Sequence, residues 1–314
     1  MSSYPSFSLL AFPKLWDEFF FHKTELSIVG PIRVLYSILL LIWLVVLGLD
    51  IELWFSDTGY LPLTAHKQIV DPDALSILSV LPQTPAVLWI CYICFVVNAL
   101  GLLVGFYSRA QALCVFFWMV SFQHRNILIF DGEDTVFRLF AFYLIFLPSG
   151  DYFSLDRIRY REILLPDRKF DVWPLRLMQL QMSFIYLCTG WQKLRSDDWI
   201  DGLALYYVSR LDDLFCRFPL PAQIFNSLEA MEFLSIIVPL FEIFLSFGLW
   251  LKSTRRVCIV AGIAFHIALD YSMNLFLFEW IMIVGLMSFL DYSSVLANCR
   301  QTFFRLKAKP TQVS

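Results

Sequence analysis

The sequence predicts an all-α fold: a polytopic bundle of about eight transmembrane helices with both termini in the cytoplasm. Three observations carry that expectation. Hydrophobic residues fill 59% of the 314 positions and charged residues only 16%, whereas a soluble domain is nearer half apolar and a quarter charged. Apolar runs recur at 29–49, 86–107, 110–130, 134–148, 173–194, 230–251, 256–273 and 275–290, most of them long enough to cross a hydrocarbon core. The basic residues are also shared unevenly between the connecting segments, the asymmetry that orients a chain in a membrane. With the N-terminus inside, fifteen of the 24 Lys and Arg fall on the inner segments, and only Lys67, Arg125, Arg195, Arg210 and Arg217 on the outer ones. The net charge of −3 gives no reason to expect a nucleic-acid partner.

Residues 1–28 mix aromatic side chains with charges of both signs. They lack the basic start, apolar core and small-residue cleavage site of a secretory signal. An interfacial amphipathic segment is expected instead. The membrane domain then runs over 29–292, and 293–314 forms a basic cytoplasmic tail. Residues 50–85 and 195–228 lie outside, the second with DDWIDGLALYYVSR as an interfacial helix, while Arg157–Lys169 is a basic inner loop. Membrane lipid is the expected surrounding partner. Of the seven cysteines, Cys91 and Cys94 form a C-x-x-C with no second pair to complete a zinc site. They read as small packing residues, and no metal is expected.

The most informative run is Trp173–Gly202, WPLRLMQLQMSFIYLCTGWQKLRSDDWIDG. Arg176, Gln179, Ser183, Tyr186, Gly190 and Lys193 recur every three or four residues, which puts them on one stripe of a helix. At ~1.5 Å per residue, Arg176 and Lys193 stand about 25 Å apart, near opposite membrane faces. Polar groups are costly in hydrocarbon, so this stripe is expected to face the bundle interior and form the wall of a site with Lys193 at its mouth. Lys193 either snorkels to the headgroups or sits in an apolar enclosure that favours the neutral, basic amine.

Other ionisable groups within the runs are candidates on the same ground. Arg138 follows Asp134 by four residues, as an ion pair or as a substrate-positioning pair near Arg125 and Glu133. Glu242, in VPLFEIFLSFGLW, is protonated or paired across helices, with no partner named by the sequence. His266 and Asp270 are again four apart; the histidine either bonds its helix neighbour or serves as a general acid or quinone contact. No glycine-rich loop suggests a nucleotide.

These residues resemble the HTTM family of bacterial membrane proteins, related to the membrane domain of vitamin K-dependent γ-glutamyl carboxylase. The resemblance rests on Arg33, DTGYLP (57–62), GFYSRA (105–110), RNILIFDGEDTVFRLF (125–140), LPSGDYFSLD (147–156), WPLRLMQLQ (173–181), YLCTGWQKLRSDDWIDGLALYY (186–207) and FHIALDYSMNLF (265–276). It spans about residues 25–292, and TGWQKL-x4-WIDG is its most specific part. It implies a reduced vitamin K-type quinone as cofactor, with Lys193 as the base that deprotonates it. His266 falls on the family histidine and Glu242 on a family carboxylate. Arg125, Asp134, Arg138, Trp191 and Tyr186 are implied around the quinone or substrate. The implied activity is hydroquinone oxidation coupled to carboxylation or another modification of an exported peptide or protein substrate at the extracytoplasmic face. Gly132-Glu133-Asp134 stands where the carboxylase has an Asn-His pair, and the carboxylase continues into a lumenal domain beyond the stretch matched here. The alternative expectation is a non-catalytic membrane factor that binds or matures an exported peptide or lipid. The implied location is the bacterial inner membrane.

Overall fold

A computed structural model describes residues 12–71, 73–160, 168–211, 217–218 and 221–291. The fold is mostly helical. In chain order the helices are α1 (Phe12–Phe20), α2 (Val29–Leu49), α3 (Ile51–Phe55), α4 (Leu63–Ile69), α5 (Pro85–Val104), α6 (Ser108–Arg125), α7 (Gly132–Phe146), α8 (Leu155–Arg159) and α9 (Trp173–Lys193). After them come α10 (Asp197–Ile200), α11 (Ala204–Val208), α12 (Ala222–Phe225), α13 (Leu228–Gly248), α14 (Arg255–Ser272) and α15 (Phe278–Leu286). A helix occupies each of the eight apolar runs. Three of them, α2, α5 and α13, are long and apolar enough to cross a membrane by length and composition. The basic tail, most of the Arg157–Lys169 loop and the first eleven residues lie outside the described residues.

One departure from an all-α expectation is a two-stranded antiparallel ladder, β1 (Lys23–Thr24) with β2 (Phe170–Asp171). Its register sets Lys23 opposite Asp171, and the Val172 amide donates to His22 O at 3.2 Å. Such a short pairing has no sequence period to announce it. It ties the segment before α2 to the start of α9.

Helix α2 explains why the bundle is read from inside outwards. Ile32, Arg33, Tyr36, Leu40, Trp43, Leu44 and Leu47 are buried at helical spacing, while Ile38, Ile42, Val45 and Leu49 on the opposite faces are exposed. Apolar residues on both sides of one helix mean an outer face that meets lipid, not water. Arg33 is fully buried and spends its guanidinium on backbone. It donates to Leu102 O, to Leu103 O at 2.7 Å and to Phe153 O at 2.5 Å. The first two are carbonyls in the last turn of α5, where regular helical donors run out, and Leu102 O also accepts from the Gly105 amide at 3.1 Å. The chain leaves α5 through Gly105 at φ 69, a left-handed conformation that favours glycine.

Asp156 completes this corner by accepting from the Tyr107 and Ser108 amides at 2.8 and 2.9 Å and from Ser108 Oγ at 3.0 Å. It therefore caps α6 from the first turn of α8, which joins GFYSRA to SGDYFSLD. The opposite end of α7 begins with a capping box: Asp131 and Asp134 each accept from the other's end of the first turn. Trp43 Nε1 also donates to Asp134 Oδ1 at 2.7 Å, and the Trp43 ring stacks on Phe130 at 5.9 Å.

This arrangement overturns the expected Asp134–Arg138 ion pair. A carboxylate in the third position of a helix points back toward the N-terminus and is consumed by the cap. Arg138, four residues on, is half-buried and has no hydrogen bond or ion pair to a described residue.

Candidate functional site

The stripe on α9 faces the interior along its whole length. Arg176 donates to Phe19 O and to Gln179 Oε1, and Gln179 donates to Ser288 O at 2.6 Å. Ser183 accepts from Trp250 Nε1 at 2.8 Å. Gly190 lets α13 come close: a Cβ there would stand 2.7 Å from Pro239 O and 3.3 Å from Glu242 Cβ. That approach is what brings Glu242, mid-way along α13, to the end of α9.

Lys193 Nζ and Glu242 Oε1 form an ion pair of 2.5 Å. The side chain of Lys193 is 25% exposed and that of Glu242 7%, so the pair sits at the edge of a buried space, the lysine outermost. The Trp199 ring from α10 lies under the ammonium at 5.2 Å, a cation–π contact that adds to the pair's hold. Glu242 thus gains the cross-helix partner that an intramembrane carboxylate needs.

A second polar unit forms one turn deeper. The Tyr186 hydroxyl and His266 Nε2 are 2.7 Å apart, and His266 Nδ1 contacts Glu279 Oε2. All three residues are almost wholly buried. The loop between α14 and α15 returns the chain so that Glu279, thirteen residues beyond His266, meets the ring. Glu133 Oε2 supports that return by accepting from the Leu277 amide at 3.0 Å.

Both units line one cavity of about 380 Å³, together with Thr189 and Trp199. The rest of the wall is largely hydrocarbon, from residues such as Ile185, Leu234, Val238, Phe265, Leu269 and Met282. The volume falls within the ~300–1,000 Å³ of small-molecule sites, which are mostly apolar with a few placed polar groups. A wider hollow of about 1100 Å³ lies between residues 66–80 and α6. Its lining carries His66, Lys67, Asp71 and Asp73, with no ion pair between them among the described residues.

Of the residues expected at a site, Lys193, Glu242, Tyr186 and His266 come together, while four stand elsewhere. Trp191 is exposed at 57% and turned away from the cavity. Arg125 is fully buried at the end of α6 and donates to Leu61 O at 3.0 Å, while neighbouring Asn126 donates to Trp54 O at 2.8 Å. These two tether residues 50–62. Asp134 and Arg138 belong to α7, outside the cavity wall. The expected His266–Asp270 bond is also corrected. Asp270 pairs instead with Arg217 at 2.6 Å, because His266 faces the interior and Asp270, a turn on, reaches the loop.

Glu279 was missed by sequence reasoning, although the signal existed. FEWIMIVGL is an apolar run with one ionisable residue, the same signal that singled out Glu242. Among the described residues, no group of three or more His, Cys, Asp and Glu is placed to hold a metal ion.

Apolar outer faces around an interior that holds a largely apolar cavity mark a helical membrane protein. The HTTM domain model matches residues 21–293, and the chain belongs to the HTTM family. It is similar to the sporulation-delaying protein SdpB of Bacillus subtilis (strain 168), 29% identical over 191 residues, which cover 58% of this chain and 58% of that protein. The match therefore spans less than two thirds of the relative's length. No solved structure matches.

Proposed function

We propose that this chain is a membrane-embedded enzyme that binds a lipophilic hydroquinone of the vitamin K type in the apolar cavity and removes a proton from it with Lys193. The observation that carries this reading is the Lys193–Glu242 pair at the rim of a hydrocarbon-walled cavity. The apolar walls suit a fused aromatic ring, and the lysine, Glu242, Tyr186 and His266 supply the polar contacts for its oxygens. When bound, the reduced quinone would give up electrons to dioxygen as oxidant, and this oxidation would be coupled to carboxylation or another modification of a substrate at the extracytoplasmic face.

The ion pair changes how Lys193 works as a base. An ammonium beside a carboxylate is already protonated. The Glu242 side chain is the buried member of the pair, and a buried charge is costly, which favours proton transfer from the ammonium to the carboxylate. Glu242 takes the lysine's proton, the freed amine removes one from the ligand's hydroxyl, and the unit holds both protons. Tyr186 and His266 add a second hydrogen-bonded polar unit to the cavity wall. The proposed setting is the bacterial inner membrane, with eight spans and both termini cytoplasmic.

The test is Lys193→Arg. Arginine keeps the charge but stays protonated at any usable pH, so the variant is expected to insert normally and lose hydroquinone oxidation. Full activity in Lys193→Arg refutes the base assignment. Organic extraction of purified protein followed by mass spectrometry checks for a bound quinone directly. A second reading is a non-catalytic factor that binds or matures an exported peptide or lipid. It is favoured by the similarity to a protein whose name denotes a delaying role in sporulation and no reaction. On that reading Lys193→Arg retains function.

A further inference from the structure

We propose, resting on the reading of the cavity as a hydroquinone site, that Tyr186 is its second proton-transfer group, positioned by His266 and Glu279, and that the ligand is an aromatic diol gripped by a hydroxyl at each polar unit. Each unit keeps one buried carboxylate oxygen with no hydrogen-bond partner among the described residues: Glu242 Oε2 and Glu279 Oε1. A buried acceptor left unpaired is costly, and a carboxylate oxygen is satisfied only by a donor. Glu242 Oε2 calls for one donor on an apolar body, and the Tyr186 oxygen, chained through His266 to Glu279, is placed to accept from a second. The spacing agrees. Glu242 packs at the level of Gly190, four residues and so about 6 Å along the axis from Tyr186, a step that a ring with oxygens at opposite positions bridges.

The order of the second unit fixes the direction of proton flow. A carboxylate at Nδ1 accepts the ring's N–H there, which leaves Nε2 of the neutral imidazole as an acceptor. The Tyr186 hydroxyl therefore donates to His266 and turns its lone pairs to the ligand. As the ligand's O–H bond breaks, a new O–H forms on Tyr186. The tyrosine's former proton passes to Nε2, which leaves a ligand oxyanion and an imidazolium beside the Glu279 carboxylate. No oxidant enters this step. Hydrogen bonding of a base by a third group follows the logic of other base-orienting triads.

Anaerobic binding of 1,4-naphthalenediol and of 1-naphthol to the full chain in nanodiscs tests the grip. A hydrogen bond to a neutral group contributes about 0.5–1.5 kcal/mol, so the diol is expected to bind about two- to ten-fold more tightly than 1-naphthol. Tyr186→Phe, which keeps the ring, should bring the two to near parity. Equal binding to the unaltered protein overturns this proposal and leaves the hydroquinone reading standing; binding of neither probe overturns both. The positioning role has its own readout without ligand. In 15N-histidine spectra the His266 proton is expected on Nδ1, with that preference lost in Glu279→Gln and restored in Glu279→Asp. A His266 signal indifferent to Glu279→Gln overturns it.

Discussion

A charge in the interior of a bundle is tolerated only with its partner, and at the residue scale the site is governed by that rule. Glu242 is held by Lys193 at 2.5 Å, with the carboxylate side chain only 7% exposed. Removing one member leaves the other as an unpaired buried charge, a loss of roughly 3–5 kcal/mol when burial is complete. Lys193 is partly exposed, so Lys193→Met should cost more through stranded Glu242 than Glu242→Gln costs through Lys193, which can swing outwards. The double variant Lys193→Met/Glu242→Gln is expected to melt higher than Lys193→Met alone. Thermal unfolding in detergent measures this, and strictly additive losses would show that the two side chains are uncoupled. Arg33 follows the same rule with backbone in place of a carboxylate. Arg33→Met strands the Leu103 and Phe153 carbonyls and leaves Leu102 O with the Gly105 amide alone, at about 1–3 kcal/mol for each stranded acceptor that water does not reach. A large fall in melting temperature with the cavity's ligand binding otherwise intact is the expected result.

The decisive contact among the elements is the crossing of α9 and α13. Its closeness depends on Gly190, since any Cβ there meets the Pro239 carbonyl at 2.7 Å. Backbone cannot yield as a side-chain tip does. Gly190→Leu should therefore push the helices apart, at about 1–3 kcal/mol for overpacking. It should also separate Lys193 from Glu242 and abolish ligand binding, as a quinol titration of the purified variant would read. The α5–α6 corner offers a separate check. Asp156→Ala removes a cap that serves two amides and a hydroxyl, with an expected loss of about 0.5–2 kcal/mol. The cavity is far from that corner in the chain and lined by other helices, so ligand affinity should not change.

For the whole molecule, the proposed orientation puts residues 50–85 outside and the turn before α14 inside. Val80 is 80% exposed, and Ser253 is exposed in that turn. In a background with the seven native cysteines replaced by alanine, Val80→Cys should react with an impermeant maleimide added to intact cells, and Ser253→Cys only after the membrane is opened. Equal reaction of both from outside would sink the eight-span arrangement.

Helical periodicity is local. Residues 173–194 by themselves determine that Arg176, Gln179, Ser183, Tyr186, Gly190 and Lys193 share a face, and the cost of polar groups in hydrocarbon determines that the face points inwards. The sequence likewise determines where the apolar helices lie, because hydrophobicity acts over twenty-residue windows. It does not determine which helix lies opposite. Glu242 is 49 positions from Lys193, Glu279 is 13 from His266, and Asp156 is 48 from the Ser108 amide it caps. Within helices, the sequence suggested the nearest candidates, Arg138 for Asp134 and Asp270 for His266, and both pairings failed. Asp134 was claimed by its own helix cap and by Trp43, and His266 was turned toward α9 and α15. Partner choice depends on helix crossings set by close approaches such as Gly190 against Pro239, and those exist only once the bundle is packed.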